Sequence, residues 1–249
     1  MIECSRKLIG IGALALAILL VSDPAWAGRP LDTEDTGTVE PGKAELEASP
    51  SYAKNPDDNT WSTLGVFSFG ILPRLEGRVE LPLLLVEPEG EKSRAGVGDI
   101  LLGGKLRVLD EKETVPALLG ALTLRLPTGD DERGLGSEDV DVGLLGVISK
   151  SVGPVTLFGN LGYTFVTRDS DLNFWTFNAA LEYRATKAWS LVSEVVSAVG
   201  EAAAPDTAVL RIGSVYALTE RIKLDGAVGF GMTKESPDVI VTVGVTVAF

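Results

Sequence analysis

From residue 42 to the C terminus, apolar residues alternate with small or polar residues through most of the chain. The C-terminal segment, residues 239–249, shows this most clearly. One face carries five valines and Phe249, and the opposite face carries Ile240, Thr242, Gly244, Thr246 and Ala248. Successive side chains of a strand point to opposite faces, whereas a helix would separate residues that are two positions apart. The pattern therefore predicts a β-strand with one apolar face.

The same alternation recurs in segments of about ten residues that are separated by turn residues. We predict twelve strands, at residues 43–53, 60–72, 74–86, 99–109, 115–126, 139–150, 154–167, 173–184, 188–198, 207–217, 221–231 and 239–249. Twelve is an even number, as single-chain bacterial membrane barrels require. The predicted fold is all-β, a transmembrane up-and-down antiparallel β-barrel of about 12 strands.

Alternation alone does not say which face points to lipid, and a soluble exported β-barrel with the opposite orientation is the alternative. Three features favour the membrane. The segments are long enough for a tilted crossing of lipid, whereas soluble strands average about 5–6 residues. A closed barrel leaves no unpaired backbone in lipid. The chain also ends on Phe249, which resembles the C-terminal assembly signal of outer-membrane barrels.

The predicted connections fall into two alternating sets. One set is short: 72–73, 110–114, 151–153, 185–187 and 218–220. The other is longer or more charged: 54–59, 87–98, 127–138, 168–172, 199–206 and 231–238. Outer-membrane barrels have short periplasmic turns and longer outer loops. With an even strand count, both termini are then predicted to be periplasmic.

Two features fit a membrane barrel less well, namely two prolines inside strands and a low content of aromatic residues. Pro50 and Pro82 lie inside predicted strands, where each removes a ladder hydrogen bond and indicates a bulge or a rim position. Aromatic residues make up only 6% of the chain. The candidates for interfacial girdles are Trp61, Phe67, Phe69, Tyr163, Phe165, Trp175, Phe177, Tyr183, Trp189 and Tyr216.

The first 27 residues have the composition of a cleaved Sec-type signal peptide. Arg6 and Lys7 precede an apolar run over 8–21, and Ala25-Trp26-Ala27 forms an A-x-A cleavage site. The run is short for a membrane-spanning helix of about 20 residues. Residues 28–41 are polar and rich in Gly and Pro, and predict an extended periplasmic N-terminal arm. The barrel itself is predicted over 42–249.

Composition excludes several functions. The net charge of −13 argues against nucleic-acid binding, which needs a basic face. The chain contains no His, and its one cysteine, Cys4, lies in the predicted signal. Ser-His-Asp and Cys-His hydrolases and zinc sites built on His or Cys are therefore excluded. We expect no cofactor, no metal site and no catalytic residues.

The ionisable residues of the second face are candidates for the lumen wall. An unpaired Arg or Lys on the lipid side would cost about 2–4 kcal/mol at the bilayer midplane. Both signs occur on neighbouring segments, which predicts ion pairs across the interior. The candidates are Glu45, Glu47, Glu76, Arg78, Glu80, Lys105, Arg107, Arg125, Asp139, Asp141, Glu182, Arg184, Glu194, Arg211, Lys223 and Asp225.

Two interpretations of this wall stay open, and a third is weaker. The wall lines either a polar pathway or a plugged, structural interior, because twelve strands fall between filled and water-filled barrels. A glycosidase-like hydrolase would have to rely on carboxylates alone, such as Glu76 with Glu80 or Asp139 with Asp141. The acidic run 130–132 lacks the spacing of a Ca²⁺-binding EF-hand loop.

Several short motifs resemble the outer-membrane family named for a "MetA-pathway of phenol degradation". They are residues 28–31 (GRPL) with Thr33 and Asp35, Gly42-Lys43 with Glu45 and Glu47, residues 126–130 (LPTGD), residues 141–143 (DVG), and Gly162-Tyr163. The resemblance spans nearly the whole chain after the predicted signal. It implies an outer-membrane barrel, and more weakly the passage of small molecules, including aromatic or hydrophobic ones.

These observations predict a passive channel or uptake protein in the outer membrane of a Gram-negative bacterium. Its expected partners are outer-membrane lipids, the barrel assembly machinery and a small-molecule solute, with no nucleic acid. A structural or interaction barrel with a plugged lumen is the alternative. The sequence does not indicate the solute or the oligomeric state.

Overall fold

The computed structural model describes residues 28–249, so the predicted signal peptide lies outside the described residues. Thirteen strands and one 3-10 turn, Ser170–Leu172, make up the regular structure of this part. The strands are β1 Ala44–Lys54, β2 Asp58–Leu72, β3 Leu75–Pro88, β4 Arg94–Val97, β5 Ile100–Leu109, β6 Ala117–Leu126, β7 Asp141–Val152, β8 Val155–Val166, β9 Phe174–Arg184, β10 Trp189–Gly200, β11 Thr207–Ala217, β12 Ile222–Gly231 and β13 Val239–Ala248.

Each strand pairs antiparallel with its neighbours, and the sheet closes on itself through β1 and β13. At the closure, Leu46 pairs with Val247 on one side and with Phe67 on the other. β3 pairs with β5 through Leu75–Glu80 and with β4 through Leu83–Val86, so β4 and β5 share one position in the wall. The result is a closed antiparallel barrel of twelve positions, which confirms the predicted fold class.

One predicted connection was wrong. Residues 87–98 were expected to form an outer loop, but β3 continues to Pro88 and β4 returns over Arg94–Val97. The wall strand formed by β4 and β5 is interrupted at Gly98 and Asp99. Pro82, which cannot donate a ladder hydrogen bond, lies opposite this interruption, and its carbonyl accepts from the Gly98 amide at 2.9 Å.

The outer surface of the barrel is apolar along the middle of every long strand. Exposed side chains such as Leu122, Leu161 and Ile212 point away from the axis, and Ile212 keeps 57% of its surface exposed. Exposed aromatic residues lie towards both ends of the strands. Tyr163 packs edge-on against Trp175 at 4.7 Å near the end with the longer loops, and Trp189 pairs with Tyr216 near the end with the short turns. We call these the loop end and the turn end.

The inward positions alternate with the outer ones, as the period of two requires. Buried polar and charged residues, including Glu76, Lys105, Glu194 and Arg211, therefore occupy the interior. No helix in the described part of the chain is long and apolar enough to cross a membrane.

Candidate functional site

The predicted wall residues fall into three groups by exposure. Seven are buried: Glu76, Glu80, Lys105, Asp141, Glu182, Glu194 and Arg211. Seven are half-buried: Glu45, Glu47, Arg78, Arg107, Arg184, Lys223 and Asp225. Arg125 is more exposed but forms an ion pair with Asp141 at 3.2 Å. Asp139 lies outside the strands, exposed in the connection before β7, because that strand begins only at Asp141.

Residues 28–41, the arm, lie against the inward-facing residues of the barrel. Leu31 is 8% exposed and packs with Phe158, Ala180 and Val192, which are inward-facing residues of β8, β9 and β10. The arm forms no strand, and near its end Pro41 makes a single bridge to Gly70. The arm is therefore held in the lumen by side chains and isolated hydrogen bonds rather than by a sheet ladder.

Glu194 and Arg211 form the most buried polar contact with the arm. They face each other across β10 and β11, with Arg211 Nη1 2.8 Å from Glu194 Oε1. The Arg211 guanidinium also donates to Asp32 at 2.7 Å and to the Pro30 carbonyl at 3.2 Å. Glu194 accepts from the amides of Asp32 and Thr33 and from the Thr33 hydroxyl. Because these charged groups are paired and hydrogen-bonded, their burial is tolerated.

Glu34 makes a second contact, with two cations from neighbouring strands. Its carboxylate accepts from Arg78 of β3 and from Lys105 of β5, the latter at 2.8 Å. Burial raises the pKa of Glu34, but Lys105 and Arg78 outweigh it, and the pKa falls to about 2. Asn160 of β8 holds the backbone of the same residue from both sides, accepting from its amide and donating to its carbonyl.

The two ends of the arm reach different parts of the wall. Arg29 contacts Asp225 of β12 at 3.2 Å, whereas the Val39 amide donates to Glu76 of β3 at 2.8 Å. Between them, the Thr36 hydroxyl bonds to Ser149 of β7. Contacts on β3, β5, β7, β8, β10, β11 and β12 mean that the arm crosses the lumen.

Arg29 also compensates for Pro50, the other proline inside a strand. The β1–β13 pairing passes from Ala48 with Val245 to Ser51 with Thr242, which puts Pro50 opposite Val243. Pro50 has no amide hydrogen to donate. The carbonyl of Val243 instead accepts from the Arg29 guanidinium at 3.2 Å. An arm residue thus supplies the hydrogen bond that a strand residue cannot.

The loop end of the interior is more apolar and is covered by the connection between β6 and β7. Leu135 of this connection is 3% exposed and packs so closely on Gly96 that a Cβ there would be 2.9 Å from Leu135 Cδ1. Asp99 fastens the connection: its carboxylate accepts from the amides of Thr128, Gly129 and Ser137 and from the Ser137 hydroxyl. The inward-facing residues in the half of the barrel nearer the loop end include Leu64, Leu84, Leu101 and Leu145.

Sequence reasoning proposed the charged wall residues but did not recognise the arm as a source of their partners. The prediction of cross-strand ion pairs holds for Glu194 with Arg211 and for Arg125 with Asp141. The arm provides further partners, because Arg78 and Lys105 contact Glu34 and Asp225 contacts Arg29. The arm's own charges, Arg29, Asp32, Glu34 and Asp35, were the available signal.

The carboxylate pair suggested for a hydrolase is committed to other contacts. Glu76 accepts from the Val39 amide, and Glu80 accepts from Arg78 Nε at 2.7 Å. Within residues 28–249, no cluster of three or more potential metal-ligating side chains occurs. The arrangement can bind or exclude solutes electrostatically.

A closed barrel with an apolar outer belt, a charged interior and two unequal sets of connections defines the class of transmembrane β-barrels. The sequence profile described as "Putative MetA-pathway of phenol degradation" matches residues 27–249, which is most of the chain. The chain therefore belongs to this family. No protein of curated function matches the sequence.

Solved structures with a similar fold are outer-membrane barrels. The COG4313 outer membrane channel from Pseudomonas putida F1 has a TM-score of 0.71 at 18% identity, and the match covers 88% of this chain and all of that one. The NanC porin has a TM-score of 0.60 at 8% identity, with 81% and 98% covered. The translocator domain of the autotransporter NalP from Neisseria meningitidis scores 0.52 at 12% identity, with 83% and 87% covered.

Proposed function

We propose that this protein is a passive outer-membrane channel or uptake protein for small molecules, including aromatic or hydrophobic ones. The observation that carries the proposal is the arm. The arm fills the lumen through separate side-chain contacts, so it can leave without opening the wall. A structural barrel could instead close its interior with wall side chains alone. The apolar inward positions at the loop end support a solute with an apolar body.

The outer-membrane location is inferred from the outer surface of the barrel and from its two sets of connections. The exposed apolar belt needs lipid, and the unequal connections favour an outer membrane with the loop end outside. Both ends of the mature chain then lie on the periplasmic side. Phe249 is 65% exposed beside the β1–β13 closure, where its amide and the Ala44 carbonyl bond at 2.8 Å. We propose that this residue belongs to the signal read by the barrel assembly machinery, and that the protein is not an enzyme.

The test is conductance with and without the arm. Purified protein in planar bilayers is compared with a deletion of residues 29–39, which keeps the Pro41 bridge and all strands. We expect small discrete openings for the full chain and openings several-fold larger for the deletion. Glu91→Gln, on an exposed outer connection, is the control and should behave as wild type. Heat-modifiability on gels verifies that each variant is folded.

The alternative is a structural or interaction barrel with a plugged lumen, in which the arm never leaves its docked position. It predicts an electrically silent full chain and no flux of small neutral solutes into liposomes. If the full chain and the folded deletion variant are both silent, the channel proposal is wrong and the plugged barrel is favoured.

A further inference from the structure

A cavity of about 200 Å³ lies in the inner wall on the loop side of the arm. Its polar and apolar walls come from five adjacent strands, β5 to β9. We call it the threonine niche and define it by Thr123, Gly143, Leu145, Thr164 and Thr176. The hydrogen bonds and ion pairs that hold the arm, described above, involve other wall residues.

Gly143 creates the empty space. It pairs with Thr123 of β6 on one side and with Thr164 of β8 on the other, so the two threonines flank a position without a side chain. A Cβ on Gly143 would be 3.7 Å from Thr123 Cβ and 3.8 Å from Thr164 Oγ1, which is ordinary contact. Packing therefore does not require glycine here. Gly162 differs, since a Cβ there would be 2.9 Å from Leu145 Cδ1.

Three hydroxyl groups converge on this space. Thr123 lies on β6, Thr164 on β8 and Thr176 on β9. Among the residues that the structure describes, no other protein group forms a hydrogen bond with these three hydroxyls. A hydroxyl can donate and accept a hydrogen bond. The niche therefore offers several unused donors and acceptors next to the apolar side chains of Leu101 and Leu145.

The size and charge of the niche limit which molecules can bind in it. An apolar cavity of about 150 Å³ holds benzene, so about 200 Å³ accommodates one ring or a short chain with a small substituent. Arg125, which also lines the niche, is paired with Asp141, and so the site carries no net charge. We propose that the threonine niche binds a neutral single-ring or short-chain molecule that carries a hydroxyl or carbonyl group.

The position of the niche suits a molecule that passes through the lumen. Asn160, which holds Glu34 of the arm, lies two residues before Gly162 on β8, one inward position closer to the turn end. That spacing is about 7 Å along a strand. A molecule in the niche therefore rests directly above the arm, on the loop side. The inference rests on the proposed channel function in one respect, because it makes the occupant a solute in transit.

The test is equilibrium binding, measured separately from conductance. The detergent-solubilised protein is titrated with 4-fluorobenzyl alcohol and followed by fluorine NMR. Gly143→Leu fills the niche and should weaken saturable binding at least tenfold. Gly146→Leu on the same strand is the matched control: Gly146 faces outward, and a Cβ there meets only Leu161 O at 3.7 Å. It should bind as wild type.

A second variant isolates the hydroxyl groups. Thr123→Val, Thr164→Val and Thr176→Val combined keep the shape of the niche and remove its hydrogen-bonding groups. Since one hydrogen bond is worth about a factor of 2 to 13, the alcohol should bind roughly 3- to 10-fold more weakly. Binding of 4-fluorotoluene, which has no hydroxyl, should not change. Equal weakening of both probes would overturn the hydrogen-bonding part of the proposal.

The outcomes separate this inference from the channel itself. Saturable binding that Gly143→Leu leaves unchanged, or no saturable binding by wild type, overturns the niche even if the protein conducts ions. Binding by a protein that is electrically silent both with and without the arm supports the niche and overturns the channel. If Gly143→Leu does not fold on a heat-modifiability gel, Gly143→Ala replaces it, with an expected loss of about threefold.

Discussion

At the scale of single residues, the arm depends on a few buried charges. Arg211 contacts Glu194 of the wall together with Asp32 and Pro30 of the arm. Its side chain is 7% exposed and that of Glu194 is fully covered. Removing one partner of such a pair leaves the other buried without compensation, which typically costs about 3–5 kcal/mol. The position of the arm should therefore be sensitive to single substitutions.

Arg211→Met should loosen the arm. Methionine retains much of the apolar stem but removes all three donated contacts, so we expect longer and larger openings in planar bilayers. Arg168→Met is the control, because Arg168 and Glu138 form an exposed loop pair worth about 0–1 kcal/mol. Identical single-channel records for wild type and Arg211→Met would show that this contact does not hold the arm.

Asp35 should make docking of the arm depend on pH. The prediction is made for a chain with a tag before Gly28, so that no N-terminal ammonium group lies near this carboxylate. Burial raises the pKa of Asp35 to about 6, with Lys105 opposing and Glu34 adding to the rise. The docked arm then retains a proton that the detached arm, with a pKa near 3.8, has released. The contribution of Asp35 to docking is therefore present below about pH 4 and is lost as the pH rises through about 6. Glu34 acts in the opposite sense: its pKa falls from 4.5 to about 2 on docking, so its contribution is present above about pH 4.5 and is lost at lower pH.

Above about pH 5 the contribution of Glu34 is constant, so mean conductance should increase between about pH 5 and about pH 7, and Asp35→Asn should remove the increase. A chain that begins at Gly28 provides a further comparison. A Cβ on Gly28 would be 3.9 Å from Asp35 Oδ2, so the new ammonium group lies near the carboxylate. This cation should shift the pH profile downward. If Asp35→Asn retains the pH response, groups other than Asp35 cause that response.

At the scale of elements, the wall is regular and its attachments are specific. The prolines lie where a neighbouring strand is interrupted or where Arg29 supplies a hydrogen bond. The connection between β6 and β7 is fastened to the wall through Asp99, and its own Leu135 is buried. Arg94 and Arg133 add hydrogen bonds between the connection and β4. The connection is thus an ordered cover for the loop end.

Asp99→Asn should release this cover. Asparagine keeps the size of the side chain but replaces one acceptor oxygen by a donor that faces the Ser137 amide. Trypsin should then cut after Arg133, within the connection, at least about tenfold faster, because each hydrogen bond to a charged group is worth about 1.5–3 kcal/mol. Glu132→Gln, beside the cleavage site and exposed, should leave the rate unchanged. Equal rates for Asp99→Asn and wild type would contradict the fastening role.

At the scale of the whole molecule, closure of the sheet allows the apolar side chains to face outward into lipid. A closed sheet satisfies its backbone without an edge, which leaves the apolar outer side chains free to face hydrocarbon. Leu161 is 51% exposed at the middle of β8, and Val152 is 66% exposed at the turn end of β7. These two positions differ in depth but not in the face that they occupy.

Leu161→Arg should destabilise the barrel by about 2–4 kcal/mol in phospholipid vesicles, whereas Val152→Arg near the interface should cost about 0–1 kcal/mol. Guanidinium-induced unfolding followed by tryptophan fluorescence measures both. Similar costs at the two depths would mean that this face does not contact hydrocarbon. The proposed orientation of the wall would then be inverted.

The sequence by itself determined the twelve wall positions and the two faces, because strand alternation is local and has a fixed period of two. Glu194 and Arg211 could be assigned to one face from their neighbours alone. The segment 87–98 could not be resolved in this way. A short strand interrupted beside Pro82 is defined by its pairing with β3 and not by its own pattern.

Only the tertiary structure decided how the interior is filled. Arm contacts such as those of Arg29 with Asp225 and Glu34 with Lys105 join residues 196 and 71 positions apart. Which inward side chains meet the arm depends on the radius of the closed barrel and the stagger of its strands, and alternation carries no information about either. The threonine niche has the same origin, since Gly143 becomes a cavity only when its register places it between Thr123 and Thr164.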